Sequence, residues 1–276
     1  MTLHSRAIRL FLLCVFTSMS LAADDKPLVL AITPDGLSVG ERVPLQTYLS
    51  RQMGRRVNLV IPNSYKEVVA GLGAGSIDFA SLDAAGYVQA HGKYGVIPLV
   101  QRTSDLEFHS VFITGTASSI HSLRDLKGKQ FAFGDVDSTS GHIIPYLDLK
   151  KAGINPDSDL KFRYSGAHPL TAKLVEAGVV DAGSLDELIL KSLIDGGKLD
   201  RAKLRIFYTS KPFVGYVYVA RKSVPEADRE KFSKALESLK EGKDDQVLRV
   251  LRAKQFVPAN DQEYGTIRQL VKEMGR

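Results

Sequence analysis

Short apolar runs with strand spacing alternate with longer runs of helical spacing over most of the chain, and the alternation occurs twice. KPLVLAI (26–32) reads as a strand and ERVPLQTYLSRQMG (41–54) as a helix. The segment VNLVIPNSYKEVVAGLGAGSIDFASLD (57–83) then predicts a strand, a turn, an amphipathic helix closed by glycine, and a second strand. The same series returns as KQFAFGD (129–135), GHIIPYLDLKKAG (141–153) and LKFRYSGAHPLTAKLVEAGVVDAGSLD (160–186). One shift of 103 places Ala74-Gly75 on Ala177-Gly178, Asp78 on Asp181, and Ser81-Leu82-Asp83 on Ser184-Leu185-Asp186. Tyr65 falls on His168 under that shift.

Strands alternating with helices predict an α/β fold of two similar lobes with mixed, mostly parallel sheets and helices on both faces. Such sheets bind ligands beyond the carboxyl ends of their strands. In each lobe these ends are the loop after the first strand, the helix start after the second, and the Ser-Leu-Asp after the third, so facing lobes would ring one cleft. EFHSVFITG (107–115) and FVGYVYVAR (213–221) suit extended connectors between lobes, and 225–274, rich in helical patterning, is expected to return to the first lobe. The expected division is a leader at 1–22, a first lobe of 23–108 and 217–276, and a second lobe of 109–216.

The stretch FGDVDSTSGH (133–142) carries three consecutive hydroxyl residues, Ser138, Thr139 and Ser140, before Gly141 at an expected helix start. Helix starts expose unpaired N–H groups and the positive end of the dipole. Adding three hydroxyls there suits a small oxyanion. Plain capping needs one Ser or Thr, which accounts for Ser138 and leaves the pair after it unexplained. His168 opens the next helix of the same lobe, and Tyr65 opens its counterpart in the other, behind a Ser64/Glu67 capping box.

Composition narrows the setting. Residues 1–22 place Arg6 and Arg9 before an apolar run and end Ser-Leu-Ala, the layout of a secretory signal peptide. Its loss would lower the net charge of +6 by two and remove Cys14, the single cysteine of the chain. About 250 residues then remain, enough to hold a core without disulfides. Basic residues are interspersed with acidic ones, as in REKFSKALESLKEGKDDQ, which argues for solvated helix faces and against a nucleic-acid partner. No cofactor motif and no close metal-ligand cluster stands in the sequence: GLGAGS lacks both the dinucleotide fingerprint and the Lys of a phosphate loop.

Nearly the whole chain after the leader resembles the phosphonate-binding family of periplasmic solute-binding proteins of ABC transporters, most closely in SLRDLKGKQFAFGDVDSTSGHIIPYLDLKKAGI (122–154). The resemblance implies the two-lobed type II periplasmic-binding-protein fold, a periplasmic monomer, a small phosphorus oxyanion as ligand and a membrane permease as partner, with no catalysis. It also implies that Ser138, Thr139, Ser140, His168 and Tyr65 hold the anion. Family members often carry a second tyrosine where this chain has Phe108, so one phenolic hydrogen bond is expected to be missing. Members that take aminophosphonates place carboxylates near the far end of the ligand. Asp186 and Glu187 are the candidates for the first, Glu187 also completing a capping box with Ser184. The second region, SKPFVGYVYVA, contains no acid, which argues against a tightly held amine. Two rivals stand beside this reading: a ligand-loaded sensor for a membrane kinase, and a phosphate-ester hydrolase with Ser138 or Ser140 as nucleophile, which would need a base and an orienting group.

Overall fold

The computed structural model describes residues 26–33 and 39–275. The first repeat gives β1 (Leu28–Ile32), α1 (Val39–Met53), β2 (Val57–Val60), α2 (Tyr65–Ala74), β3 (Phe79–Leu82), α3 (Ala84–Tyr94) and β4 (Ile97–Arg102). The second gives β5 (Ser110–Gly115), β6 (Gln130–Phe133), α4 (Ile144–Lys151), α5 (Pro156–Asp159), β7 (Lys161–Tyr164), α6 (His168–Glu176), β8 (Ala182–Asp186), α7 (Glu187–Asp195) and β9 (Leu204–Thr209). The chain returns through β10 (Val217–Ala220), α8 (Glu226–Glu237), α9 (Asp245–Leu251), β11 (Phe256–Pro258) and α10 (Gly265–Glu273). The leader expected at 1–22 and most of the cleft loop expected after β1 lie outside the described residues.

Two sheets result, with strand orders β11-β4-β10-β3-β1-β2 and β7-β6-β8-β5-β9. In the first, β2, β1 and β3 pair in parallel, and in the second β7, β6 and β8 do the same, so the sequence repeat is a structural one. Beside each parallel trio lies a strand that has just crossed from the other lobe and runs the opposite way: β10 on β3 and β5 on β8. Each sheet is therefore mixed, and parallel pairing is confined to the repeats.

The two crossings run side by side. Phe108 N–H donates to the Phe213 carbonyl at 2.8 Å and Phe213 N–H donates back to that of Phe108 at 2.9 Å, a single antiparallel bridge tying the connectors together. After the second crossing the C-terminal helices cover the first sheet. Phe232 of α8 stacks on Phe79 of β3, with ring centroids 4.3 Å apart and planes within 8°. Leu236 and Leu248 join Leu45 and Leu49 of α1 in the same core. Each such side chain contributes about 1.5–3 kcal/mol on full burial. On the other face α10 packs against α3, Tyr264 meeting Tyr87 at 4.5 Å between centroids. These layers fix β3 and α3, and with them one wall of the cleft.

Candidate functional site

The hydroxyl run begins where β6 ends. Ser138 caps the turn that follows, its Oγ accepting the Gly141 N–H at 3.1 Å, and residues Thr139–Ile143 make one π-helical turn leading into α4. Gly141 is required there for a close approach: a Cβ on it would stand 3.0 Å from Gly134 Cα and 3.1 Å from both His168 Cε1 and Ser138 Oγ. Missing bulk at this one position lets the turn close on the strand end and on the imidazole. Neighbouring strands clamp the turn from behind, Ser110 Oγ donating to the Ser140 carbonyl at 2.5 Å and Ser184 Oγ to that of Gly141 at 2.9 Å. The hydroxyl of Ser140 itself is buried without a hydrogen-bond partner among the described residues, an arrangement native structures seldom leave unexplained.

Tyr65 and His168, the pair matched by the repeat, meet. The Tyr65 phenol oxygen lies 3.1 Å from His168 Nε2, Ser138 Oγ lies 3.5 Å from the same nitrogen, and the Tyr216 phenol is 3.2 Å from that of Tyr65. His168 Nδ1 accepts the backbone N–H of Asp186 at 3.3 Å. A neutral imidazole held this way carries its proton on Nε2, so it offers the cluster a donor. Burial pushes both phenols well above their ordinary pKa, and they stay protonated. The site thus gathers neutral hydroxyl and imidazole donors from both lobes, with Tyr65, Ser138 and His168 each no more than 2% exposed. Donors of this kind strengthen when they meet an ionised acceptor.

Tyr216 is the residue that sequence reasoning missed. Its N–H donates to Asp105 Oδ1 at 3.0 Å, and Asp105 is gripped at 2.6 Å by both Nε and Nη2 of Arg102. The Phe108 ring meets its ring edge-on at 5.8 Å, and the Arg102 guanidinium lies 5.3 Å from its centroid. Phe108 therefore backs a phenol that the second crossing brings to the cluster. Tyr216 and Tyr218 share one face of an alternating run, and the sequence does not say which of them leaves the core.

Thr139 turns to the other lobe. Its N–H and Oγ donate to Asp83 Oδ2 at 2.5 and 2.7 Å, and its Oγ accepts the Ala85 N–H at 2.8 Å. Asp83 Oδ1 accepts the Gly86 N–H at 3.0 Å and caps α3. Burial pushes the Asp83 carboxyl up to about 6, against the pull of the donors from Thr139 and Gly86. Asp186, its repeat partner, caps α7 by accepting the Ile189 N–H at 2.9 Å. It borders a cavity of about 20 Å³ together with Thr33, Arg102, Tyr216 and Arg252, room for about one water molecule. Burial raises its pKa as well, opposed by Arg102. The Ser184/Glu187 capping box is corrected. Pairing of β8 runs through Asp186, so the cap is Asp186, two residues after Ser184, the helix starts at Glu187, and Glu187 accepts the His109 N–H at 2.9 Å instead.

Comparison with known proteins decides what frame these residues belong to. A family model described as "ABC transporter, phosphonate, periplasmic substrate-binding protein" matches residues 37–264. The chain belongs to this family. It is 28% identical over 243 residues to the probable ABC transporter phosphite binding protein PhnD1 of Prochlorococcus marinus, covering 83% of this chain and 82% of that one. The structure of PhnD1 in complex with methylphosphonate superposes with a TM-score of 0.82 at 25% identity, covering 91% of this chain and 99% of that one. A binding-protein component of an ABC phosphonate transporter from Pseudomonas aeruginosa also gives 0.82, at 21% identity, over 90% of this chain and 86% of that one, and shows the fold. The tetrathionate sensor histidine kinase TtrS of Salmonella typhimurium is 24% identical over 180 residues, 60% of this chain and 30% of that protein.

Members of the phosphonate-binding family bind solute without chemistry, and the geometry at Ser138 agrees. A serine nucleophile needs an imidazole nitrogen free to take its proton and a partner holding the imidazole in that tautomer. Here the backbone N–H on His168 Nδ1 imposes the opposite tautomer. Among the described residues no group of three or more His, Cys, Asp or Glu is placed to hold a metal, and no helix is long and apolar enough to cross a membrane.

Proposed function

We propose that the chain captures a small phosphorus oxyanion, phosphite or a short phosphonate, between its lobes in the periplasm and delivers it as a monomer to a membrane permease. One observation carries this reading: the residues equivalent in the two repeats, Tyr65 and His168, converge within 3.1 Å beside Ser138 and Tyr216, making a buried cluster of neutral donors from both lobes. Ser140 adds a buried hydroxyl that a ligand oxygen would satisfy. On this reading Asp186 faces the ligand's substituent, and the cavity of about 20 Å³ that Asp186 borders together with Tyr216 suits a small one, a hydrogen or a methyl group. The lobe division at 108/109 and 216/217 and the leader at 1–22 belong to the same reading. Capture by two lobes joined through two tied strands is a hinge closure. A sensor would share the lobes and the ligand site and differ only in the surface that meets its partner.

Calorimetric titration with methylphosphonate, phosphite, phosphate and sulfate tests the ligand class. Tight binding of a phosphorus oxyanion, with ligand recovered intact after long incubation, is the expected result. Steady release of inorganic phosphate from a phosphonate or phosphate ester would overturn it.

A further inference from the structure

A carboxylate stands inside an anion site, and that conflict needs a resolution. Asp83 is 1% exposed and takes both donors of Thr139, the middle member of the hydroxyl run. An oxyanion held by Ser138 and Ser140 on either side of Thr139 therefore lies next to it. The other titratable groups around the site offer Asp83 no compensating charge: Tyr65 and Tyr216 are protonated phenols, His168 accepts a backbone N–H on Nδ1 as a neutral imidazole does, and Asp135 adds a like charge. Among the described residues Arg102 is the only Lys or Arg that is buried, and Asp105 already holds it bidentately while Asp186 faces it too. Two unscreened negative charges at hydrogen-bond range in a dry site repel strongly. A single proton between them turns the repulsion into a charge-assisted hydrogen bond.

Resting on the ligand reading above, we propose that Asp83 makes capture a one-proton event: the bound oxyanion and the Asp83 carboxylate share one proton, so the chain selects ligands that carry an acidic O–H near neutral pH. No bond to phosphorus changes; the proton comes from the ligand monoanion or, at higher pH, from solvent. Phosphite and phosphonates have a second ionisation near neutral pH and can supply it, as phosphate monoesters do. Sulfate is fully ionised there and cannot. The selectivity arises from Asp83 as an acceptor, in a site whose remaining groups would hold either anion.

The test is calorimetry with methylphosphonate and inorganic phosphite between pH 5.5 and 9.5, in pairs of buffers that differ in heat of ionisation, with sulfate as competitor. At pH 8.5 the wild type should take up about one proton per ligand bound, and above that pH its affinity should fall about tenfold per unit. Sulfate should not compete. Asp83→Asn should bind methylphosphonate with no proton uptake and a nearly flat profile at high pH, and should admit sulfate. Zero uptake by the wild type, or sulfate binding as tightly as phosphite, overturns the proposal. So does uptake that persists in Asp83→Asn, which would place the proton on His168. The wild-type proton count and the sulfate competition stand without the variant. Binding of neither phosphorus ligand at any pH would remove the ligand reading itself and the proposal with it.

Discussion

Asp83 directly follows the third strand of the first repeat and Asp186 ends that of the second; both cap the helix that follows and both are buried, yet one reaches into the opposite lobe and the other does not. Asp83 accepts from Thr139 across the cleft, while Asp186 turns its carboxylate to its own helix and receives the field of Arg102. Tyr65 and His168 differ in a complementary way, since the repeat assigns them equivalent helix starts and the closed cleft makes them each other's partners. The repeat supplies two helix ends of the same kind. One lobe carries an acceptor and the other a run of donors, and the cleft is asymmetric as a result.

The strongest way to break this comparison is to remove one member of the Tyr65/His168 pair. His168→Ala and Tyr65→Phe should each weaken methylphosphonate binding by about 1.5–3 kcal/mol, the range for a hydrogen bond to a charged group, or roughly ten- to 150-fold in Kd. Their double mutant should lose less than the sum, because the two side chains touch. Calorimetry on the four proteins closes the cycle, and strict additivity would show that they contact separate ligand atoms without acting as a unit.

Stability against pH sharpens the contrast at Asp83. Its folded pKa of about 6 lies above the usual unfolded value of about 4. Between those values the native state holds more protons than the unfolded chain, so stability without ligand falls as pH rises from about 4 to about 6 and levels off beyond. Asp83→Asn lacks that loss. It should match the wild type near pH 4 and exceed it at pH 7.5 by on the order of 1–3 kcal/mol. Denaturant melts at the two pH values measure the gap, and a gap of equal size at both would assign the effect to capping alone.

Asp186→Ala offers the within-lobe counterpart. Loss of a helix cap should lower stability by about 1 kcal/mol, while the ligand's pH profile stays that of the wild type. A flattened profile in this variant would transfer the proton-sharing role from Asp83 to Asp186.

The sequence repeat made Tyr65 and His168 legible because it compares positions at a fixed shift, and the hydroxyl run was legible because three such residues exceed what a cap requires. Asp83 was equally visible as the match of Asp186, but an Asp at a helix start is so ordinary a cap that nothing local marks its contact with Thr139, 56 residues away. Tyr216 was hidden for another reason. Strand alternation puts it on the same face as Tyr218, and only the grip of Asp105 on its N–H, with Arg102 behind, turns one phenol to the cleft while Tyr218 packs against Phe232 and Phe256. Long-range partners decide both cases, and periodicity carries no record of them.

The smallest expected effect separates Ser138 and Ser140, the two members of the hydroxyl run that flank Thr139. Ser138 Oγ accepts the Gly141 N–H, so Ser138→Ala removes a cap and should cost the ligand-free protein about 1 kcal/mol. Ser140 Oγ is buried with no partner among the described residues, and a buried hydroxyl in that state already bears the cost of leaving water. Ser140→Ala should therefore leave the ligand-free melting temperature within error of wild type or raise it slightly, by no more than about 0.5 kcal/mol, the range of a substitution that breaks no contact. Its effect should appear only with ligand, as a smaller stabilisation at saturating methylphosphonate than the about 2.7 kcal/mol expected of wild type at a hundred times its Kd, when both proteins are compared at one ligand concentration. A Ser140→Ala protein that melts like wild type with and without methylphosphonate would remove Ser140 from the site and leave the anion to Ser138, His168 and the two tyrosines.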